Sequence, residues 1–444
     1  MLLEFKFKNW LSFYGETEFT MMATRERDPF ERLATDNAFT GRVLPLTAIY
    51  GYNASGKTNF IEAIFFLKRL VLTKDDKTNL QPFAFVNSER QIPSYFYIKF
   101  LTNTNVYEYE IELDTDKILY EKLSSLGKTT KNVLFERKEN VLTDLSKEYT
   151  NDEKTRLSVV MQGTASSQSF LNNTYSQQVK LFKEAYEWFS NGLIIIGPNT
   201  NFFEPNTNAD SYEDFNMLLK NLDISNSEYI RKPIDADSLN FVPQFLSSLN
   251  RQLKDGDSMC ISQSVNVRKV NNKLEFSSVR IRHKNLDNHD STTELDLATE
   301  SDGTKRLYEL RPVLRDLLLK NSDITFIVDE LDRSLHPLLV RHLIELFNQC
   351  CNRDIRRQLI FTCHDSSLLD QELMRRDSYW IISKDFYGES KMQRITNLKQ
   401  GKRTDKSIRN AYMSGELGVV PSFIKINLRR PSLDDRYHNL DHLI

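Results

Sequence analysis

The sequence predicts an α/β protein with a nucleotide-binding core of the strand–loop–helix kind, an antiparallel β lobe beside it and a mainly helical insertion. Three observations carry this. "GYNASGKTNF" (51–60) lies directly between an apolar run and a helix-patterned run, and two alternating segments at 94–102 and 106–114 flank a short Asn/Thr turn. From about residue 130 to 230 the chain becomes polar and turn-rich, with helical patches such as "VKLFKEAYEWFSNGL".

The first observation is the most specific, because Gly51, four intervening residues, Gly56, Lys57 and Thr58 satisfy G-x-x-x-x-G-K-[ST] without a mismatch. Its flanks agree. "VLPLTAIY" (43–50) reads as a buried strand, and 57–70 places Phe60, Ile61, Ile64, Phe65 and Leu67 at helical spacing. In such a loop, backbone N–H groups and the helix N-terminus face the β- and γ-phosphates of ATP, Lys57 supplies a point charge, and the Thr58 hydroxyl ligates Mg²⁺. The expected ATP-binding residues are therefore Gly51, Tyr52, Asn53, Ala54, Ser55, Gly56, Lys57, Thr58 and Asn59. A chance glycine turn before a core helix is the bland alternative, and the full match within both flanks weighs against it.

In chain order, "LLEFKF" (2–7) and "TEFTMM" (17–22) read as strands bracketing "KNWLSFYGE", and the phosphate loop, its helix and the antiparallel pair follow. We place the N-terminal half of the core at 1–130, a peripheral insertion at 131–290, the C-terminal half of the core at 291–400 and closing elements at 401–444. Within the insertion, 264–283 alternates like a hairpin turning at Asn271 and Asn272. With 59 basic against 61 acidic residues, any nucleic-acid contact must come from a local patch such as Arg268, Lys269, Lys273, Arg280, Arg282 and Lys284. Edge strands carry such cations routinely, so a solvated edge competes with that reading. No apolar run approaches the ~20 residues of a membrane helix. The four cysteines lack zinc-ligand spacing, and a cytoplasmic protein with reduced thiols and no membrane partner is expected.

The second half supplies what a phosphate loop needs for turnover. "DITFIVDELDRSLHP" (323–337) is an apolar strand ending in carboxylates, where Asp329 is placed to hold Mg²⁺ and Glu330 to orient or deprotonate water. "RQLIFTCHDSSLLD" (357–370) is another apolar strand, ending at His364, whose imidazole can contact a γ-phosphate. Each feature alone has a structural reading, as a solvated strand end or a structural histidine. "ATESDGTKRLYELRPVL" (298–314) sets Ser301 and Gly303 ahead of a helix, a second N-terminus suited to phosphate. One chain hardly needs two such helix starts, whereas two chains paired head to tail use both around shared ATP.

In this order the motifs resemble the ABC-type ATPase heads of SMC and double-strand-break-repair proteins. The Walker A loop runs from Gly51 to Thr58, and a signature-like "ESDGT" includes Ser301, Asp302, Gly303 and Thr304. The Walker B strand ends at Asp329 and Glu330, the D-loop-like "LDRSLHP" holds Asp332 and Ser334, and His364 stands at the H-loop. Over nearly the whole chain the sequence is similar to a bacterial group of stand-alone heads, the RloA-like and abortive-infection ATPases, which includes the ATPase AriA of the PARIS anti-phage system. "FKFKNWLSF", "PFAFVNSERQIPSYFYIKF", "LLKNLDIS" (218–225), "RRDSYWIISKD" and "MSGELGVVP" (413–421) carry that similarity. It implies Gln81 as a Q-loop residue, Mg²⁺ and ATP as cofactors, and Lys57, Glu330 and His364 as the catalytic set. It also implies a homodimer sandwiching ATP, with scope for a higher homo-oligomer, a separate effector protein and a phage-protein trigger.

Two departures stand out. Leu11 occupies a place where many relatives carry a basic residue. The chain also lacks the metal-binding nuclease domain that some heads of this type append after the H-loop histidine, so it is not expected to cut nucleic acid. The leading expectation is an ATPase switch in anti-phage defence that controls an effector. The alternative is a RecF-like, DNA-binding ATPase in repair or nucleic-acid surveillance, whose binding would be steeply salt-dependent. A transporter subunit is disfavoured by the long additions, and a chain without hydrolysis by the complete set of residue types.

Overall fold

The near-continuous apolar runs ending at Tyr50, Val328 and Thr362 require cover on both faces, which a parallel sheet between two layers provides. The computed structural model describes residues 1–26, 32–36, 38–74, 79–87, 91–103, 105–197, 203–204, 212–221, 228–239, 241–253, 255–262, 264–287, 291–398 and 407–417. Its central sheet has the order Ser390–Arg394, Tyr379–Lys384, Leu46–Tyr50, Gln358–Thr362, Thr325–Val328, Leu193–Ile196. Neighbours run parallel except for the first pair, an antiparallel hairpin at the edge. Leu46–Tyr50, Gln358–Thr362 and Thr325–Val328 are buried throughout. Because the three are adjacent and parallel, the segments following Tyr50, Val328 and Thr362 emerge together at one sheet end, where open α/β sheets place their ligands.

The helix Lys57–Leu72 buries Phe60, Ile64, Phe66 and Leu67 between the central sheet and a second, seven-stranded antiparallel sheet. That sheet runs Thr17–Thr20, Leu2–Lys8, Ser94–Leu101, Val106–Leu113, Ile118–Leu126, Lys131–Lys138, Val141–Leu145. Period-2 alternation puts Phe5, Phe7, Phe96, Ile98 and Phe100 into this core, while Lys6, Tyr97, Glu110, Lys122 and Glu136 form one cross-strand row on the other face. The opposite face of the central sheet packs a separate core around Tyr50, Val328, Ile344 and Phe347. That core also takes Tyr229, Val279 and Ile281 from a third, antiparallel sheet. The Asn271–Asn272 turn of its long hairpin has φ of 49° and 62°, the left-handed pair that a two-residue hairpin requires.

The region assigned to a mainly helical insertion contains helices, Asn151–Gln162 and Phe170–Ser176 among them, but it also feeds strands into every sheet. Lys131–Lys138 and Val141–Leu145 finish the antiparallel lobe, and Leu193–Ile196 is the outer strand of the central sheet. "LIII" is too short for periodicity to separate strand from helix. The polar "NTNFFEPNTNADSYED" stretch falls largely outside the described residues, as do "LLKNLDIS" from 222 onward and the chain beyond 417. Of the closing region, the helix Ile408–Met413 is described. Among the described residues no helix is long and apolar enough to cross a membrane.

One fully buried ion pair fastens the lobe to the helical segment. Glu121 accepts from Tyr109 Oη (2.9 Å), Arg137 Nε (2.8 Å) and the backbone N–H groups of Phe170 (2.8 Å) and Leu171 (3.1 Å). Arg137 also donates to the Gln168 carbonyl (2.8 Å). Removing one partner leaves a desolvated charge, so Arg137→Met is expected to lower stability by about 3–5 kcal/mol, read from the urea unfolding midpoint.

Candidate functional site

Gly51 follows strand Leu46–Tyr50 directly, and the loop reaches the helix through two left-handed residues, Ala54 (φ 64°) and Gly56 (φ 115°). Lys57 folds back over this loop and donates to the carbonyls of Gly51 (2.8 Å) and Tyr52 (3.1 Å). Burial pulls its pKa down, opposed by the nearby carboxylates of Asp329, Glu330 and Asp332. The Thr58 hydroxyl donates to Asp329 Oδ2 at 2.9 Å, joining the two sequence-predicted metal ligands from positions 271 residues apart. In an octahedron with bonds near 2.1 Å, neighbouring oxygens stand about 3 Å apart, so this pair fits two adjacent Mg²⁺ positions. Among the described residues no group of three or more His, Cys, Asp or Glu could hold a metal. Thr58 and Asp329 are the two residues that would hold a Mg²⁺ here, an ion that usually keeps water and substrate phosphate in its other positions.

Asp329 is almost wholly buried and held from several sides. Its N–H donates to the Ile196 carbonyl (2.8 Å), and Oδ1 accepts from Thr362 Oγ1 (2.5 Å) on the neighbouring strand. The same Thr362 oxygen accepts the Glu330 N–H at 2.7 Å, so one hydroxyl aligns both carboxylate-bearing residues. Glu330 has φ 50°, a costly backbone for a residue of its kind, and it keeps that conformation under these constraints. Its carbonyl and that of Asp329 both accept from Arg306 Nη2 at 2.7 Å. Arg306 is buried and also donates to Glu309 Oε2 (2.7 Å), which takes Arg333 Nη2 (2.6 Å) as well. Burial lowers the Arg306 pKa and Glu309 holds it up.

Arg306 lies on the helix Asp302–Glu309, the element predicted to close on phosphate. Ser301 caps that helix, accepting the Thr304 N–H at 3.2 Å, and Ser301 and Asp302 are exposed. Among the described contacts, this segment meets its own D-loop and the third sheet: a Cβ on Gly303 would stand 3.0 Å from the Ser334 carbonyl, and Tyr229 Oη donates to the Thr304 carbonyl (2.9 Å). Asp332 works within the chain, with Oδ2 accepting the N–H groups of His364 and Asp365 at 2.9 Å each. This fixes the backbone of the H-loop, and the His364 side chain is exposed at the sheet end. Gln81 is exposed, and its carbonyl accepts the N–H of Leu11 (2.8 Å) in the first loop.

The structure thus joins Lys57, Thr58, Asp329, Glu330, Asp332 and His364 through strand ends and hydrogen bonds. Thr362 and Arg306 escaped the sequence reading. Thr362 closes the strand two residues before His364, a position that marks it in retrospect, whereas Arg306 lies just past the signature-like motif with nothing local to single it out.

A family model described as "AAA domain, putative AbiEii toxin, Type IV TA system" matches residues 46–370. No curated protein matches. Among solved structures, an SMC head bound to the C-winged helix domain of ScpA is 13% identical, over 88% of this chain and 97% of that one, with a TM-score of 0.40. The SMC head domain from Thermotoga maritima is 15% identical over 88% and 98%, with a TM-score of 0.32. The ATP-bound recombination mediator RecF is 11% identical over 83% and 94%, with a TM-score of 0.28.

Proposed function

The chain belongs to this AAA-domain family, and from that membership and the site above we propose that it is an ABC-type ATPase that works as a two-state switch. The observation that carries the reading is the continuous line Thr58–Asp329–Thr362–Glu330, which sets a metal-binding pair beside a glutamate of fixed backbone at the same sheet end as the phosphate loop. Lys57 neutralises phosphate charge, Thr58 and Asp329 hold Mg²⁺, and Glu330 orients and deprotonates water. A Mg²⁺ held by Thr58 and Asp329 would supply charge neutralisation to the transferring phosphoryl group. The helix start at Ser301–Gly303, exposed at Ser301 and Asp302, closes on the nucleotide of a second copy, and His364 reads the γ-phosphate of the nucleotide in its own head. Bound and hydrolysed states then differ in the contacts joining two heads, which lets ATP set the assembly.

Resemblance to the abortive-infection and AriA-like ATPases, together with the toxin–antitoxin wording of the family description, supports a role in anti-phage defence. In this reading a phage protein triggers the switch and a separate effector protein is released or held. The third sheet weakens the DNA-binding alternative. Arg282 pairs with Glu294 (3.3 Å) and Glu228 (3.6 Å), and Arg280 stands across from Asp296. Lys269 is buried and donates to the Asn250 carbonyl (2.7 Å), while Arg268 lies opposite Glu275 on the other face. The six cations therefore do not make one free basic surface.

The test is a pulldown of tagged Glu330→Gln protein with ATP and Mg²⁺ from cells carrying the native neighbouring genes, followed by mass spectrometry and a nucleic-acid stain. A stoichiometric protein partner without nucleic acid is expected. DNA released by moderate salt, with no protein partner, would overturn the switch in favour of the RecF-like role.

A further inference from the structure

The edge hairpin of the central sheet, Tyr379–Lys384 and Ser390–Arg394, has no part in the motifs that define the nucleotide site, yet it grips the phosphate loop at several points. Ser390 Oγ lies 2.6 Å from the Ser55 carbonyl and 2.7 Å from Ser12 Oγ, and Ser12 Oγ lies 2.8 Å from Asn59 Nδ2. The Ser390 N–H donates to the Ser12 carbonyl (2.7 Å). Tyr52 Oη accepts the Lys384 N–H (3.0 Å) and donates to the Lys384 carbonyl (2.9 Å), so a loop side chain occupies the place of a neighbouring strand.

The proton order in this chain is forced. An amide nitrogen only donates and a carbonyl only accepts, so the protons run from Asn59 to Ser12, from Ser12 to Ser390 and from Ser390 to Ser55. Ser12, Ser55 and Ser390 are buried, where each link polarises the next and a missing link leaves a dry polar atom. Space is equally constrained: a Cβ on Gly56 would stand 2.5 Å from Ser390 Oγ and 2.9 Å from Ser12 Oγ, and φ there is 115°. In a trans peptide the C=O and the following N–H point in opposite directions. Holding the Ser55 carbonyl toward Ser390 therefore turns the Gly56 N–H away from the hairpin.

We infer that Ser390, supported by Ser12 and assisted by the Tyr52–Lys384 pair, is a positioning residue that orients the Ser55–Gly56 peptide for phosphate. The inference rests on the ATP site proposed above. It also gives the first loop a task that needs no cation at Leu11, since that loop works here through Ser12 and the turn of the phosphate loop rather than through charge.

The experiment measures fluorescent ATP-analogue binding with Mg²⁺, ATP turnover and the nucleotide-free unfolding midpoint for the full chain, Ser390→Ala, Ser12→Ala, the double variant and Lys57→Ala. Each single serine change is expected to weaken binding and raise KM by about 3- to 10-fold, with kcat changed less. The double variant should be no weaker than the worse single one, because breaking one link already breaks the chain. Parent-like binding in the serine variants, alongside loss of binding in Lys57→Ala, would overturn the inference and leave the ATP site intact. Parent-like binding in Lys57→Ala would instead sink the ATP site itself. Should the serine variants fail to fold, Tyr52→Phe is read in their place: it loses one hydroxyl from a half-buried ring, so weaker binding supports the clamp and unchanged binding overturns it.

Discussion

Glu330→Gln is expected to bind ATP and Mg²⁺ as the parent does, turn it over roughly 10²–10⁴-fold more slowly, and accumulate as a nucleotide-bound pair. The backbone at Glu330 is fixed by its N–H on Thr362 Oγ1, by its carbonyl on Arg306 and by a left-handed φ. None of these constraints uses the carboxylate, so the isosteric amide keeps the geometry and loses only the capacity to take a proton from water. Size-exclusion chromatography with light scattering, run with and without ATP and Mg²⁺, reads the pairing, and phosphate release reads the turnover. Parent-like turnover would exclude Glu330 as the base, and a slow variant that stays monomeric with ATP would exclude the sandwich of two heads.

The sheet end of the proposed site was largely legible because its strands are short apolar runs followed at once by chemically distinctive residues. Gly51 to Thr58, Asp329–Glu330 and His364 each occupy the first few positions after a strand, so recognising three strands nearly suffices to assemble the site. The interactions that hold the site were not legible. Thr362, Ser12 and Ser390 are small hydroxyl residues whose roles depend on partners 32 to 378 residues away. Local pattern holds no trace of such distances. The domain boundaries were obscure for a similar reason: Leu193–Ile196 lies in polar, helical surroundings, and only pairing with Thr325–Val328 makes it part of the core. The basic hairpin shows the converse, since sequence locates its cations and the register decides that Glu228, Glu294 and Asp296 stand against them.

Arg306→Lys is expected to lower kcat by about 10- to 100-fold while changing ATP affinity far less, because a base whose backbone shifts by about 1 Å loses rate on that scale. The guanidinium spans three acceptors at once: the carbonyls of Asp329 and Glu330 from one nitrogen and the Glu309 carboxylate from another. A lysine ammonium is a compact point charge on a flexible stem and cannot reproduce that planar fork. It keeps the buried positive charge beside Glu309, so the stability loss stays smaller than for Arg306→Ala, which leaves Glu309 with Arg333 alone among its described cation partners. The two variants separate folding from catalysis: thermal unfolding should order them parent, Lys, Ala, whereas kcat should fall steeply already at Lys. Because Arg306 lies on the helix whose start is proposed to close on the partner's nucleotide, the same substitution should also weaken ATP-dependent pairing in the Glu330→Gln background. A lysine variant with full turnover and full pairing would show that this arginine only fills the core, and that the geometry of Glu330 is secured by Thr362 without it.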